Sequence, residues 1–444
     1  MSLSIIVLAA GKGSRMLSSR PKVLHEVGNY PMLFHVLDTA TSLKNSNVNL
    51  VISKSLLAFK QEIKKRYPNI VFSLQEKQNG TADAVKCALK TNQSYSKKTI
   101  ILYGDTPLIS KGTLQKSLRS YDTKKLDLCV ISMMPKQNKN FYGKLKFQKN
   151  RLVSIVEQVD NKERQSELDI CNSGIMIINS KKLNENIQLV GNSNNKNEFY
   201  LTDLVKVFSQ QHFLVDHFSC VFEETLGVNN MKDLMLVNKE FQIKKRNYFL
   251  DKGVFMQDPD TVYFSSDTKI GINVKIQPNV YFGKSVIIKD GVTLRSFSYL
   301  DNVKVHENVI IGPFARIRDG VEIEQGSKVG NFVELKKSKI GKDVKISHLS
   351  YIGDSTIKNS CNVGAGAITC NYDGKKKHKT MIGENCFIGS NSSLVAPLKI
   401  KKGSLIGAGT VVNEDVPYGT VVYRKSKLIK KIRKNNVWNF RCFF

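Results

Sequence analysis

A loop near the start of the chain combines two glycines with two cations, Gly11-Lys12-Gly13-Ser14-Arg15. It follows the apolar run Ser4 to Ala10, which is typical of a buried parallel strand, and Lys22 comes shortly after it. Backbone amides of a Gly-rich loop can approach a phosphate closely, and neighbouring cations neutralise its charge. The spacing fits neither a Walker A loop nor the GxGxxG pattern of dinucleotide-binding proteins. Taken alone, such a loop is often only a turn.

A carboxylate follows a second apolar run. Thr99 to Tyr103 has the composition of a buried strand and ends in Gly104-Asp105. The carboxyl edge of an open α/β sheet is where ligands bind, and Mg²⁺ prefers hard oxygen ligands. Asp105 is therefore a candidate metal ligand at a phosphate site, and the alternative is an aspartate that only caps the next helix.

The elements that would position these residues alternate between strand and helix. The patterns predict strands at Val48 to Ile52 and Ile70 to Leu74, and helices at Leu56 to Tyr67 and Ala82 to Leu89. This alternation is typical of an α/β domain with a mainly parallel sheet. Helical spacing of apolar residues from Lys232 to Phe249 predicts a helix that connects to the next domain.

The stretch from Ile270 to Val412 has a different period. An aliphatic residue returns at every sixth position, with a few five-residue steps and a longer excursion from Cys370 to Thr380. The longest runs are Ile270, Ile276, Phe282, Ile288, Leu294, Leu300 and Ile382, Ile388, Leu394, Ile400, Ile406, Val412. A period of six fits neither a helix nor a hairpin meander, so it favours a parallel β-helix over short strands in a sandwich.

Composition excludes some classes. The chain has 444 residues, which predicts two or more domains, and no stretch approaches the roughly 20 apolar residues of a membrane span. We therefore expect a cytoplasmic protein without membrane insertion. The eight cysteines show no CxxC pair, which favours free thiols over zinc or disulfides.

The net charge of +30 raises the question of a nucleic-acid partner. Most lysines are dispersed and do not alternate with aromatic residues as a stacking platform requires. Two denser clusters, Lys375 to Lys377 and Lys425 to Lys434, are suited to meeting phosphates. We expect compositional bias and anionic small substrates, not nucleic acid.

Three motifs together resemble one bacterial family. These are Leu8 to Met16, Gly330 to Lys337 and Thr369 to Gly374, combined with Tyr-Gly-Asp at the strand end and the hexapeptide repeat. The chain is similar over essentially its whole length to the bifunctional N-acetylglucosamine-1-phosphate uridyltransferases and glucosamine-1-phosphate N-acetyltransferases. The resemblance implies a Rossmann-like nucleotidyltransferase domain at 1–231, a helical linker at 232–252, and a left-handed parallel β-helix of hexapeptide repeats with a basic tail at 253–444. It also implies a homotrimer that makes UDP-N-acetylglucosamine for cell-wall peptidoglycan.

The resemblance assigns roles in the first half. This domain would join UTP to N-acetylglucosamine 1-phosphate and release pyrophosphate, a reaction that needs charge neutralisation and alignment more than a base. Arg15 and Lys22 would be catalytic, and Asp105 and Asn229 would hold Mg²⁺. The UTP- and UDP-sugar-binding residues that it implies are Leu8, Ala9, Ala10, Gly11, Lys22, Gln75, Gly80, Thr81, Tyr103, Gly104, Asp105, Gly143, Glu157, Asn172 and Asn229.

The second half would acetylate glucosamine 1-phosphate with acetyl-CoA. The amine is largely protonated in water, so a base must take a proton, and His348 matches the family's base. The implied ligands of the sugar phosphate are Arg318, Lys336, Tyr351 and Asn362, with Glu334 orienting a partner. Those of acetyl-CoA are Ala365, Asn371, Tyr372, Ser390, Ala408 and Arg424.

Two other functions remain open from the residues alone. One is a sugar-nucleotide pyrophosphorylase in which the solenoid serves only assembly or regulation, and His348 with Asn371-Tyr372 argues against it. The other is a basic scaffold or nucleic-acid-binding solenoid, which accounts for the charge but not for the Gly-rich loop.

Overall fold

The computed structural model describes residues 3–91, 96–136, 142–157 and 170–425. The chain divides into two compact units, Met1–Lys245 and Arg246–Phe444. No helix within the described ranges is long and apolar enough to cross a membrane. The seven cysteines within them are free thiols, as predicted, and Cys442 lies outside them. Of the basic cluster predicted at Lys425 to Lys434, only Lys425 lies within the described residues.

The first unit is built on one mixed sheet. The strands of the unit are β1 Leu3–Leu8, β2 Glu26–Val27, β3 Tyr30–Pro31, β4 Ser46–Ile52, β5 Val71–Leu74, β6 Lys98–Tyr103, β7 Leu128–Met133, β8 Lys144–Gln148, β9 Arg151–Val156, β10 Cys171–Asn179 and β11 Val215–Ser219. The strand order of the sheet is β11-β7-β10-β6-β1-β4-β5, in which β10 is antiparallel to both neighbours and the β8–β9 hairpin attaches to β10, while β2 and β3 pair separately. The predicted, mainly parallel α/β sheet is confirmed.

Helices cover both faces of this sheet. On β1, Ile5 and Val7 join one buried cluster and Ile6 and Leu8 join the other, which explains the unbroken apolar run in the sequence. The helices are α1 Met32–Thr41, α2 Lys60–Arg66, α3 Thr81–Thr91, α4 Lys111–Thr123, α5 Ser180–Asn186, α6 Asp203–Gln210 and α7 Met231–Leu250. Helix α7 is the helix predicted at Lys232 to Phe249, and the division between the two units falls inside it.

One predicted helix differs from the structure. The segment predicted as a helix from Leu56 to Tyr67 begins as a 3₁₀ helix, Lys54–Phe59, and becomes α-helical only over Lys60–Arg66. Its first turn closes by a hydrogen bond from Leu56 N to Ser53 O at 3.1 Å. This i→i+3 tightening is common where a helix begins, and the apolar period alone does not reveal it.

The second unit is a parallel β-helix with three faces. Strands β18 (Tyr299–Val305) and β20 (Arg316–Ile323) each turn a corner and serve two faces. The first face contains β12 Phe255–Met256, β14 Lys275–Ile276, β17 Thr293–Leu294, β19 Ile310–Ile311, β21 Lys328–Asn331, β24 Lys345–His348, β27 Asn362–Val363, β30 Phe387–Ile388, β33 Leu405–Ile406 and β35 Val421–Val422.

The other two faces are formed by β18, β20 and twelve short strands. The second face contains β15 Tyr281–Phe282, β22 Glu334–Lys336, β25 Tyr351–Gly353, β28 Ile368–Cys370, β31 Ser393–Val395 and β34 Val411–Val412. The third face contains β13 Lys269–Ile270, β16 Ile287–Ile288, β23 Lys339–Ile340, β26 Ser355–Ile357, β29 Thr380–Ile382 and β32 Leu398–Ile400.

The six-residue period corresponds to one face of a coil. Most stacked residues on successive coils are 18 or 17 positions apart, as with Ile272 and Asp290 or Asn331 and His348, and the shorter of these coils contain the five-residue steps. The coil with the excursion is longer, since Asn362 pairs with Phe387. The aliphatic corner residues form one continuous buried cluster, against which Ile270 is partly buried. Glycines that follow these residues lie where the next coil passes closely, since a Cβ at Gly383 would lie 2.5 Å from Lys402 N. The predicted solenoid is therefore confirmed.

Candidate active sites

A cavity of about 400 Å³ opens at the carboxyl ends of β1, β5 and β6 in the first unit. It brings together twelve of the predicted residues from segments far apart in sequence. They are Leu8, Ala9, Ala10, Gly11, Arg15, Lys22, Gln75, Gly80, Thr81, Tyr103, Asp105 and Asn229. Gly104 lies at the base of this region, where an added Cβ would lie 3.2 Å from Ala9 Cβ and Leu33 Cδ1.

The Gly-rich loop is tightly folded against the segment that carries Lys22. Gly13 has a φ of 64°, and a Cβ there would lie 2.8 Å from Lys22 Cβ, so this position requires glycine. The short 3₁₀ helices Ser14–Met16 and Lys22–Leu24 then carry Arg15 and Lys22 to the cavity wall. Both predicted cations therefore line the cavity that the loop encloses.

Each of these cations already contacts one predicted metal ligand. Lys22 Nζ forms an ion pair with Asp105 Oδ2, and Arg15 donates a hydrogen bond to Asn229 Oδ1 at 3.0 Å. The two ligand loops are joined by the hydrogen bond from Val228 N to Asp105 O at 3.0 Å. One carboxylate and one amide oxygen on joined loops fit Mg²⁺, which uses few protein ligands together with substrate phosphates.

Polar residues that follow β5 form the wall of the first cavity opposite Arg15 and Lys22. Gln75 is buried and donates to Asp83 Oδ2 at 2.7 Å and to Gly80 O at 3.1 Å. Gly80 has a φ of 117° and leaves no room for a side chain, because a Cβ would lie 2.5 Å from Phe199 O. Thr81 then begins α3 and accepts a hydrogen bond from Leu201 N.

A second cavity of about 320 Å³ shares Asp105 and Asn229 with the first. Three further predicted residues, Gly143, Glu157 and Asn172, line it. Asn172 N bonds Gly143 O at 2.8 Å, and Glu157 Oε1 accepts from Thr202 Oγ1 at 3.0 Å. The predicted sugar-binding residues thus lie beside the predicted nucleotide-binding residues.

The sequence analysis does not predict one segment that lines both cavities. Lys196 and Glu198 line both, and Tyr200 and Thr202 line the second, all from a segment before α6 that has no glycine signature. Gln78 was visible as a polar loop residue, and it donates to Ala10 O at 2.7 Å across the first cavity. Nothing in the local pattern of 196–202 distinguishes it from an ordinary loop.

In the second unit, most of the predicted acetyl-CoA residues share one column with the predicted base. A column is a set of residues at the same position on successive coils. Asn331 pairs with His348, and continuing the register of the later ladder pairs by two residues adds four more members to what we call the His348 column: Asn331, His348, Ala365, Ser390, Ala408 and Arg424. Since adjacent coils are about 4.8 Å apart, the column from His348 to Arg424 spans roughly 19 Å.

His348 has a polar partner in the same column. Its Nδ1 lies in close hydrogen-bond contact with Asn331 Oδ1 on the preceding coil. Because the amide oxygen faces the ring, Nδ1 carries the proton and donates it to this oxygen. Nε2 is then free to accept a proton from a substrate. The register that stacks β21 on β24 therefore also selects the ring nitrogen that acts as a base.

Cations gather on the second face near the excursion loop. Arg318 and Lys336 are paired across β20 and β22, and Lys377 comes from the loop. The Lys377 ammonium lowers the pKa of Lys336, with a smaller contribution from Arg318. Arg318 Nε also lies 2.8 Å from Glu334 Oε1. This concentration of positive charge suits a phosphate, and it adds Lys377 to the two cations that the resemblance implies for this site.

The excursion loop is a small ordered hairpin. Asn371 donates to Asp354 Oδ2 at 2.5 Å, Tyr372 donates to Gly374 O at 2.6 Å, and His378 contacts Asp373 Oδ2 at 2.7 Å. Tyr372 is 61% exposed, and His348 and Arg424 are exposed as well. These residues form an open surface and not a closed pocket.

The structure does not bring all predicted sugar-phosphate residues together within one chain. Arg318, Lys336 and Tyr351 lie on the second face, whereas Asn362 lies on β27 of the first. The corner of the β-helix at which His348 is located separates Asn362 from the other three residues.

Comparisons with known proteins agree with the division of the chain into an α/β unit and a solenoid. The model of the MobA-like NTP transferase domain matches residues 5–168, and that of the bacterial transferase hexapeptide (six repeats) matches 302–337 and 379–414. The bifunctional protein GlmU of Wolbachia pipientis wMel is 39% identical over 430 residues, covering 96% of this chain and 98% of its own. The bifunctional protein GlmU of Bartonella quintana (strain Toulouse) is 38% identical over 426 residues, covering 96% and 95%.

Proposed function

The chain belongs to the GlmU family of bifunctional proteins, and we propose that it makes UDP-N-acetylglucosamine in two steps at two separate sites. It is an acyltransferase that acetylates glucosamine 1-phosphate with acetyl-CoA, and a nucleotidyltransferase that transfers uridylyl from UTP to the product. We assign uridylyl transfer to residues 1–231 and acetyl transfer to residues 253–444, with 232–252 as linker. The observation that carries the proposal is the presence of two distinct constellations, one around Lys22, Asp105 and Asn229 and the other along the His348 column.

In uridylyl transfer the nucleophile is a phosphate oxygen, which is already an anion at neutral pH. The chain's task is to hold the two anions in line and to reduce their repulsion. Arg15 and Lys22 neutralise the triphosphate, and the adjoining cavity lined by Gly143, Glu157 and Asn172 holds the sugar. Asp105 and Asn229 would hold Mg²⁺, which would supply further charge neutralisation when bound.

In acetyl transfer the nucleophile is the sugar amine. As its nitrogen attacks the thioester carbonyl, His348 Nε2 takes a proton from the amine. The carbon–sulfur bond then breaks, and the departing sulfur of CoA receives that proton and leaves as the thiol. Arg318, Lys336 and Lys377 bind the sugar phosphate. The CoA arm lies along Ala365, Ser390 and Ala408, whose short side chains leave an open track towards Arg424. Asn371 and Tyr372 lie at the reacting end.

A homotrimer would close this open site, and we include it in the proposal. One feature supports self-association. Phe297, Phe314, Phe332 and Leu349 stack at a corner on four successive coils, and each is between 46% and 61% exposed. All four have positive φ, a conformation that is costly for bulky residues, so both their strain and their exposure need compensation. Asn362, on the far side of the corner from Tyr351, would then complete a neighbouring copy's site.

The experiment is a two-product assay. Purified protein is incubated with glucosamine 1-phosphate, acetyl-CoA and UTP while CoA and pyrophosphate are followed separately. The proposal predicts CoA release without UTP, and pyrophosphate release only when acetyl-CoA or N-acetylglucosamine 1-phosphate is supplied. Release of pyrophosphate with N-acetylglucosamine 1-phosphate, but no CoA under any condition, would reduce the protein to a pyrophosphorylase.

A further inference from the structure

A cluster of ionisable side chains lies on the third face of the solenoid, apart from the residues assigned to catalysis. His306 follows β18 and Glu324 follows β20, and His306 N bonds Ile323 O at 2.8 Å, which places His306 beside Glu324 on the next coil. Glu322 lies two residues before Glu324 and so faces the same side of the sheet. The cluster is therefore held by the ladder, not by a loop.

The donor atoms are arranged as a chelate. His306 Nε2 lies 3.0 Å from Glu322 Oε1 and 3.6 Å from Glu324 Oε1, and the three candidate ligand atoms lie within 4.8 Å of one another. Two ligands that each bind Zn²⁺ at about 2.1 Å are about 3.0 to 3.4 Å apart at octahedral or tetrahedral angles. The 3.0 Å contact is a hydrogen bond, so a cation would displace the proton between Nε2 and Oε1 and would need little further rearrangement of these side chains.

A third carboxylate lies on the other side of the ring. His306 Nδ1 is 3.9 Å from Glu307 Oε2. Imidazoles that bind a metal through one nitrogen usually direct the other N–H to a carboxylate, which orients the ring and raises its basicity. At 3.9 Å this contact is too long for a hydrogen bond, so Glu307 adds negative charge beside the ring and does not orient it.

The local charge is opposite to that of the whole chain. The sequence has 68 basic and 38 acidic residues, yet three carboxylates surround this one imidazole. One ammonium, Lys304 Nζ, contacts Glu322 Oε1 at 2.8 Å. Lys304 therefore offsets one of the three negative charges, and a net negative charge remains around the imidazole.

We propose that His306, Glu322 and Glu324 bind one divalent transition cation of the Zn²⁺ class. One imidazole nitrogen and two carboxylate oxygens suit such a cation, with water completing its coordination, whereas Mg²⁺ prefers oxygen ligands alone. The cation links two successive coils on the third face, because each coil supplies at least one ligand. The site does not depend on either proposed activity.

Calorimetric titration of the full chain with ZnCl₂ tests this, with millimolar Mg²⁺ present throughout to occupy oxygen-only sites. We expect one Zn²⁺ per chain that is lost, or weakened at least tenfold, in both His306→Ala and Glu324→Gln. Glu324→Gln keeps the side chain's size and removes only its charge. His378→Ala is the matched control, because His378 also lies on the solenoid but contacts a single carboxylate, Asp373.

Zinc K-edge absorption of the loaded protein distinguishes this site from cysteine. The proposal requires a coordination shell of nitrogen and oxygen. Wild-type protein that binds no Zn²⁺, variants that bind it as tightly as wild type, or a shell that contains sulfur would each overturn the proposal.

Discussion

The two units position their functional residues in different ways. In the α/β unit, Arg15 contacts Asn229 across 214 positions of sequence, and a cavity forms where loops from several strand ends meet. In the solenoid, His348 and Asn331 are only 17 positions apart, because one coil stacks directly on the next. A change in one loop of the first unit therefore affects several contacts, whereas a change in one column affects mainly its neighbours above and below.

The largest expected effect concerns the proposed base. His348→Ala removes the proton acceptor, so acetyl transfer should fall by about 10²- to 10⁴-fold while uridylyl transfer keeps its wild-type rate. The measurement is CoA release at saturating substrates, with pyrophosphate release as the internal control. Equal losses of both activities would mean that the two sites are not independent.

The corresponding change in the α/β unit is Asp105→Ala. It removes the carboxylate and leaves Lys22 without this partner, so uridylyl transfer should fall by about 10²- to 10³-fold with acetyl transfer unchanged. Wild-type pyrophosphate release from this variant would remove Asp105 from the mechanism. Asp127, which pairs with Lys182 outside both cavities, gives a matched control in Asp127→Ala.

A smaller effect tests whether one residue of the His348 column influences the next residue of that column. Asn331→Ala removes one hydrogen bond to His348, which we expect to lower the kcat of acetyl transfer about tenfold with little change in the KM for acetyl-CoA. Asn331→Asp should partly restore the rate at high pH. Its acid limb should move to higher pH, because a carboxylate beside the ring favours the imidazolium, which is not a base. A pH profile identical to that of wild type would show that Asn331 has only a structural role.

The smallest effect concerns the cation cluster. Because Lys377 lowers the pKa of Lys336, Lys336 loses its proton at a lower pH than an ordinary lysine, and its affinity for phosphate declines earlier as pH rises. Lys377→Met should raise the KM for glucosamine 1-phosphate about threefold at neutral pH and move the alkaline rise in KM to higher pH. Lys375→Met on the same loop is the control, and dividing each KM by the wild-type value cancels titration of the substrate amine. If both variants behave alike, Lys377 has no special role.

This contrast also explains how much the sequence predicted. The hexad period located Ile270 to Val412 and implied which residues stack, so the His348 column follows from counting coils once the excursion at Cys370 to Thr380 is recognised. In the α/β unit, the strand pattern predicted the sheet, and Asp105 was visible because it ends a strand. Family resemblance was needed for Asn229, since nothing local indicates that its loop is bonded to that of Asp105.

Other contacts had no sequence signal. The segment with Lys196 and Glu198 enters both cavities because of how it packs before α6, and its composition resembles that of any polar loop. The pairing of Asn331 with His348 depends on which way two side chains turn at a corner, and a period cannot give a rotamer. Asn362 lies on a different face from Tyr351, which only the assignment of strands to faces reveals.

The central claim is that one chain holds two independent active sites, and a mixing experiment tests it most directly. Asp105→Ala and His348→Ala proteins are purified separately and given glucosamine 1-phosphate, acetyl-CoA and UTP, alone and together. We predict that each alone makes almost no UDP-N-acetylglucosamine, while the mixture makes it after a lag, because the acetylated sugar phosphate released by the first protein is used by the second. A mixture as inactive as its components, with wild-type protein active in parallel, would contradict this account.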